Sequence, residues 1–273
     1  MTDLPVTDAP EPGDIADREP ALVVALDPAA AAEATAPQAA PRRVLVIVAH
    51  PDDLDFGAAG TIATWTAAGS EVVYCIVTDG AAGSAEEDVD LSTLPARRED
   101  EQREAARVVG VEQVIFLGYP DGGLEPTQEV RRDLSRVIRQ VRPDRVLGQS
   151  PERNYERIRA SHPDHLAAGE AMLRAVYPDA RNRFAHPELL EGEGLQPFEV
   201  PEVWLMASPA PDQIIDITGA FDKKVAALAC HKSQINDIDR LATFVRGWAS
   251  ATAVRFGLGA DRLAEAFQIV DTR

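Results

Sequence analysis

The chain has 273 residues, apolar and charged fractions of 45% and 26%, and a net charge of −18. That length suits one large domain or two small ones, and the charge argues against nucleic acid or an anionic membrane as the main partner. No apolar stretch reaches the roughly 18 residues that a membrane span needs, no basic-then-apolar signal opens the chain, and the cytoplasm is the expected location.

Residues 1–41 are rich in Ala and Pro and carry eight acids against one base, Arg18, so seven of the eighteen excess negative charges sit there. Such a composition buries too little apolar surface to offset its ordering entropy. A disordered leader is expected over 1–41, with "ALVVAL" (21–26) as a short piece able to dock on the domain or a neighbouring subunit. A single domain is expected over 42–273.

From Arg43 the pattern alternates strand and helix. "RVLVIVA" is a continuous apolar run, as in a strand covered on both faces. A helix is expected over 57–69, a strand over 71–78, and a polar glycine-containing loop over 79–95. "ARREDEQREAARVVG" reads as an amphipathic helix stopped by Gly110. "QVIFLG" (113–118) is a third strand, "PTQEVRRDLSRVIRQVR" a helix capped by Thr127, "DRVLGQ" (144–149) a fourth strand, and "HPDHLAAGEAMLRAVY" a further helix. Residues 178–200 read as a long loop suited to lining or covering a pocket. "EVWLMA" and "QIIDIT" are strands, and 219–231 and 239–267 are mainly helical. The alternation predicts right-handed βαβ units, hence an α/β fold with a Rossmann-like, mainly parallel sheet, helices on both faces and a C-terminal α+β elaboration. Trp65, Trp204 and Trp248 are most simply core residues. Cys75 and Cys230 read as small buried hydrophobes rather than a disulfide.

In such sheets a site forms at the carboxyl ends of the strands. "AHPDD" ends the first strand, bringing His50, Asp52 and Asp53 there; Asp79, Asp121 and the segment after Gln149 end later strands. "SHPDH" (161–165) puts His162 and His165 three apart, on one side of a helix that starts at Pro163. His50, Asp53 and His165 make two imidazoles and one carboxylate, the pattern of a catalytic zinc site with an open position. Two adjacent carboxylates repel each other, so a cation beside Asp52 and Asp53 is expected. A dinucleotide fingerprint is incomplete, because Gly57 and Gly60 lack the third glycine of that motif.

"AHPDD" with a downstream "HPDH" resembles the LmbE-like/PIG-L family of zinc-dependent N-deacetylases. The likeness extends through "GAAGT" (57–61), "RREDE" (97–101), "FLGYPDGGL" (116–124), "HKSQ" (231–234) and "AEAF" (264–267). The resemblance implies that His50, Asp53 and His165 hold Zn²⁺, with Fe²⁺ as an alternative occupant of the same ligand set. It implies Asp52 as general base, His162 facing the scissile carbonyl, Asp164 orienting His162, and Arg98 and Asp121 holding the polar groups of a substrate. The implied reaction removes an N-acetyl or other N-acyl group from an aminosugar-containing small molecule. A bound Zn²⁺ lowers the pKa of its water from about 15.7 to about 7, Asp52 takes the proton, and a protonated His162, its pKa raised by Asp164, supplies a donor to the oxyanion. The alternative is a catalytically inactive, sugar-binding member of the same fold. A homo-oligomer is left open.

The chain also departs from the family pattern. Leu54 stands where an acid usually follows the second Asp, with Asp55 one place later. Ala160 stands where some members carry a tyrosine, the nearest being Tyr155. His186 reads as a surface residue. For His231, a core or surface histidine and a supporting or substrate-contacting one both remain open.

Overall fold

A computed structural model describes residues 28–36, 38–85, 88–155 and 157–273. The strands are β1 (Arg43–Val48), β2 (Glu71–Thr78), β3 (Gln113–Tyr119), β4 (Arg145–Gln149), β5 (Glu202–Met206), β6 (Gln213–Asp216) and β7 (Ala264–Asp271). The helices are α1 (Pro28–Ala34), α2 (Asp53–Ala67), α3 (Leu94–Val108), α4 (Gln128–Val141), α5 (Pro163–Arg174), α6 (Pro187–Glu191), α7 (Phe221–Leu228) and α8 (Ile238–Arg255).

The strands form one sheet in the order β3-β2-β1-β4-β5-β7-β6. The first five are parallel, and β7 runs antiparallel to both β5 and β6. The apolar run of β1 is divided by its pleat. Val44, Val46 and Val48 face a core layer with α2, α3 and α7, whereas Leu45 and Ile47 face a layer with α4 and α5. That double burial is why the strand is apolar throughout. The chain winds outward from β1 to β3 and returns across the sheet to β4, so the strand order reverses between β1 and β4. A crevice opens at such a switch point, outside the strand carboxyl ends.

Helix α2 starts at Asp53, four residues before the expected 57. Asp53 and Asp55 occupy its first turn, where carboxylates suit the positive end of the helix dipole. Its glycines are needed for close packing. A Cβ at Gly57 would lie 2.4 Å from Met206 Sδ, and one at Gly60 would lie 2.8 Å from the side chain of Ile217. A buried ion pair is stitched into the same helix. Lys224 Nζ donates to Glu265 Oε1 at 2.6 Å and to the Phe56 carbonyl at 2.5 Å, while Glu265 accepts from the amides of Gly60 and Thr61 at 3.1 and 2.8 Å.

Four expectations are corrected. Within 239–267, read as mainly helical, the helix covers only the first part: α8 ends at Arg255, Gly257 and Gly259 adopt φ of 79° and 106°, and β7 begins at Ala264. Its Ala- and Glu-containing start has weak strand propensity, and pairing on both sides, Trp204 with Ile269 and Ile214 with Ala266, imposes the strand. Part of the segment expected as a disordered leader is helical, Pro28–Ala34. Helix α1 lies on β6 with Ala34 buried against Ile214, Phe256 and Ala264, and Gln213 Nε2 donates to the Ala34 carbonyl at 2.7 Å. This covers an edge strand; "ALVVAL" lies outside the described residues. The 178–200 segment does not line the cleft. It carries α6 and is fastened to α4, where Arg131 grips Asp179 at 2.9 and 2.8 Å and Arg139 binds the carbonyls of Asp179, Ala180, Asn182 and Ala185. Finally, Trp65 and Trp204 are core residues, but Trp248 is only half-buried, under the guanidinium of Arg157 at 4.6 Å.

Thr127 caps α4 by accepting from the Val130 amide, and both cysteines are free thiols. No helix among the described residues is long and apolar enough to cross a membrane.

Candidate active site

The turn after β1 is pinned from both neighbouring strands. Gln149, at the end of β4, accepts the Ala49 amide proton at 2.9 Å, and Thr78, at the end of β2, donates its hydroxyl to the Ala49 carbonyl at 2.9 Å. His50, Asp52 and Asp53 therefore leave the sheet in a fixed direction. They line a cleft of about 300 Å³ together with Ala82, Gly83, Arg98, Asp121, Gly122, His162, His165 and Gln234. The 79–95 loop supplies Ala82 and Gly83.

The rings of His50, His162 and His165 are mutually 5.1 to 5.2 Å apart. Asp53 lies between two of them. Its Oδ1 is 2.8 Å from His165 Nε2, and its Oδ2 is 3.3 Å from His50 Nδ1 and accepts the His50 amide proton at 2.7 Å. The other His50 nitrogen, Nε2, is 2.8 Å from Asp121 Oδ1 and 3.3 Å from Asp164 Oδ2. One imidazole is thus surrounded by three carboxylates. Burial works to lower its pKa, but the Asp121 and Asp53 hydrogen bonds and charges overcome that and push it up to about 11. Burial works to raise the carboxyl of Asp53, yet His165 and His50 hold it well below the usual range. An imidazole driven so far toward its cationic form marks a pocket with surplus negative charge. Two imidazoles and a carboxylate facing one another in such a pocket fit a divalent cation.

Asp52 sits beside this cluster. Burial raises its carboxyl to about 6, against the opposing charge of Arg98. Arg98 donates to Asp52 Oδ2 at 3.3 Å and to the Pro51 and Gly80 carbonyls, each at 2.8 Å. It borders the cleft, but its hydrogen bonds go to the protein, as do those of Asp121, which accepts from His50 and from the Ala82 amide at 2.9 Å. Both side chains line the cleft in which a substrate-holding role was expected of them.

The expected contact between the Asp164 carboxylate and His162 is absent. Asp164 points to the β3–α4 turn, accepting the Gly122 and Leu124 amides at 2.7 and 3.1 Å. His162 instead caps α5: its Nδ1 accepts the backbone amide of Asp164 at 3.2 Å. An accepting Nδ1 leaves the ring proton on Nε2. The expected rise in the pKa of His162 is reversed. Burial lowers it, and the charges of His50 and His165 lower it further.

His231 takes the supporting role left open for it, beside Gln102, Glu101, Ser233 and Gln234, which were not singled out one by one from the sequence. Gln102, Asp55 and His231 form a buried string behind Asp52, and His231 is 1% exposed with Nε2 2.8 Å from Asp55 Oδ2. Ser233 binds Glu101 through its amide at 2.9 Å and its hydroxyl at 2.6 Å. Gln234 reaches the cleft wall and donates to the Gly83 carbonyl at 3.0 Å. The signals were the "HKSQ" run and the polar positions 98, 101 and 102 on one face of a helix.

Residues 45–176 match the PIG-L family, described as GlcNAc-PI de-N-acetylase. The diacetylchitobiose deacetylase of Thermococcus kodakarensis is 35% identical over 193 residues, covering 71% of this chain and 70% of that protein. This chain belongs to the PIG-L family. A probable N-acetyl-alpha-D-glucosaminyl L-malate deacetylase 2 of Bacillus cereus is 30% identical over 207 residues, covering 71% of this chain and 84% of that protein. Among solved structures, the N,N'-diacetylchitobiose deacetylase of Pyrococcus horikoshii, complexed with its inhibitor MPG, superposes with a TM-score of 0.77 at 33% identity over 85% of each chain. As a PIG-L protein the chain is a metal-dependent hydrolase of amide bonds, with the residues of its paired histidine motifs gathered in one cleft.

Proposed function

We propose that this PIG-L protein removes the N-acetyl group of an aminosugar-containing small molecule, with Zn²⁺ held by His50, Asp53 and His165 and with Asp52 as general base. The observation that carries the reading is the convergence of His50, Asp53 and His165, with Asp52 beside them, on an open cleft. When bound, the cation acidifies a water molecule and polarises the amide carbonyl.

The protein's own residues do the rest. Asp52 lines the same cleft as Asp53, and its carboxylate would take the proton of a water activated there. His162, with its proton on Nε2, offers a donor where oxyanion charge develops. The leaving amine collects the proton that Asp52 took up. Asp121 and Asp164 hold His50 by its far nitrogen and keep the near one toward Asp53, the arrangement by which carboxylates orient metal-bound histidines. With every one of these groups in place, the inactive sugar-binding alternative has no missing residue to support it.

The similarity to diacetylchitobiose deacetylases makes N,N'-diacetylchitobiose the first substrate to try, and GlcNAc conjugates of malate the next. The test is acetate release from these compounds by zinc-loaded protein, with metal analysis after anaerobic purification to separate zinc from ferrous iron. Metal-loaded protein that releases no acetate from any N-acyl aminosugar would overturn the reading.

A further inference from the structure

Asp52 has an unusual backbone. Its φ is 87° and ψ is −29°, in the left-handed region that residues with a Cβ seldom enter. Something must hold it there. Its amide donates to Gln102 Oε1 at 2.8 Å, Gln102 Nε2 donates to Asp55 Oδ2 at 2.9 Å, and His231 Nε2 donates to the same oxygen at 2.8 Å. Gln102, Asp55 and His231 are all essentially excluded from solvent. The order of donors leaves no freedom. Gln102 cannot flip its amide, because its oxygen would then face a carboxylate and its nitrogen an N–H. Asp55 closes a loop back to Asp52 through its own amide, which donates to the Asp52 carbonyl at 2.8 Å. Arg98, one helical turn from Gln102 on α3, grips the Asp52 carboxylate from the same side.

We infer that His231, through Asp55 and Gln102, is a positioning residue that fixes the backbone turn of Asp52 and so aims its carboxylate into the cleft. The inference rests on the reading of Asp52 as the base. The separation of tasks is visible in the contacts. Asp53 is held by the His50 amide and by His165, with no bond to this string. Loss of the string therefore moves the base and leaves the cation ligands in place. It also gives the "HKSQ" run a reason for its histidine, which lies beyond α7 and outside the residues lining the cleft.

The test uses the full-length, metal-loaded protein with Gln102→Met and His231→Phe, each removing donors at similar volume, and His231→Gln, which restores an N–H. Crystal structures of the first two variants are expected to show Asp52 out of the left-handed region with bound metal unchanged. On N,N'-diacetylchitobiose, kcat is expected to fall about 10- to 100-fold, as for other partners that orient a reactive group indirectly, with little change in KM and partial recovery in His231→Gln. In an Asp52→Asn background, Gln102→Met is expected to cost nothing further. An unchanged Asp52 turn, or metal loss in proportion to activity, overturns the inference. If Gln102→Met does not fold, the His231 pair decides alone by the same two readouts. Retained turnover in Asp52→Asn overturns the base assignment instead, and the crystallographic readout keeps the two failures apart.

Discussion

His50 Nε2 and Asp121 Oδ1 lie 2.8 Å apart, and this contact decides which side of the His50 ring is free. With Nε2–H given to Asp121, Nδ1 is left facing Asp53 and, on the proposed function, would be the atom that holds the cation. Asp121→Ala should therefore weaken metal binding by about 10- to 100-fold, the usual cost of losing a carboxylate behind a ligating histidine. Chelator competition with zinc measures it. Unchanged metal affinity with a raised KM would assign Asp121 to the substrate instead.

Adjacent aspartates should behave differently when removed. Asp52→Ala is expected to keep stoichiometric metal and lose most turnover, because its contacts run to Arg98 and not to the histidines. His165→Ala is expected to lose metal, since it pairs with Asp53 at 2.8 Å. Metal content by elemental analysis, set beside acetate release, checks both. Equal metal loss in the two variants would break the division of labour.

Much of this site was legible in the sequence because its residues follow strand ends. "AHPDD" could be placed from the apolar run before it, and "HPDH" from the proline-started helix after it, so the convergence of His50, Asp53 and His165 followed from topology. What a side chain touches did not follow. The two acceptors on His50 Nε2 come from a turn after β3 and from the helix that carries His165, and no local pattern assigns Asp164 to His50 rather than to His162. The string from His231 to Asp52 joins positions 176 and 47 residues apart across its two side-chain contacts with Asp55. Strand β7 was hidden for a related reason: its state is imposed by two neighbours, and only Gly257 and Gly259 marked the end of the helix before it.

The pairing of His231 with Asp55 should make stability depend on pH. Burial alone would lower the histidine's pKa, but the hydrogen bond and charge of Asp55 outweigh it and the net shift is upward. A raised folded-state pKa contributes stability that is fully present below the unfolded value of about 6.5 and is lost as pH rises through the folded value. The gap in Tm between the native protein and His231→Phe should be widest at or below about pH 6 and narrow with rising pH. Calorimetric scans across that range measure it, and a gap that widens with pH would contradict the assignment.

The Lys224–Glu265 pair tests how the C-terminal strand is tied to the site-bearing helix. Both side chains are buried, at 3% and 5% exposure, and each also binds backbone groups of α2. Removing one partner leaves the other as an uncompensated buried charge, at a cost of about 3–5 kcal/mol. For a chain of this size, Lys224→Met should lower Tm by on the order of 10 °C. Replacing both, as in Lys224→Met with Glu265→Leu, removes the stranded charge but frees the amides of Gly60 and Thr61, so recovery should be partial. Thermal melts of the two single variants and the double variant form a cycle that isolates the pair. Full additivity in that cycle would show that the two side chains act independently and that Glu265 holds α2 through the amides alone.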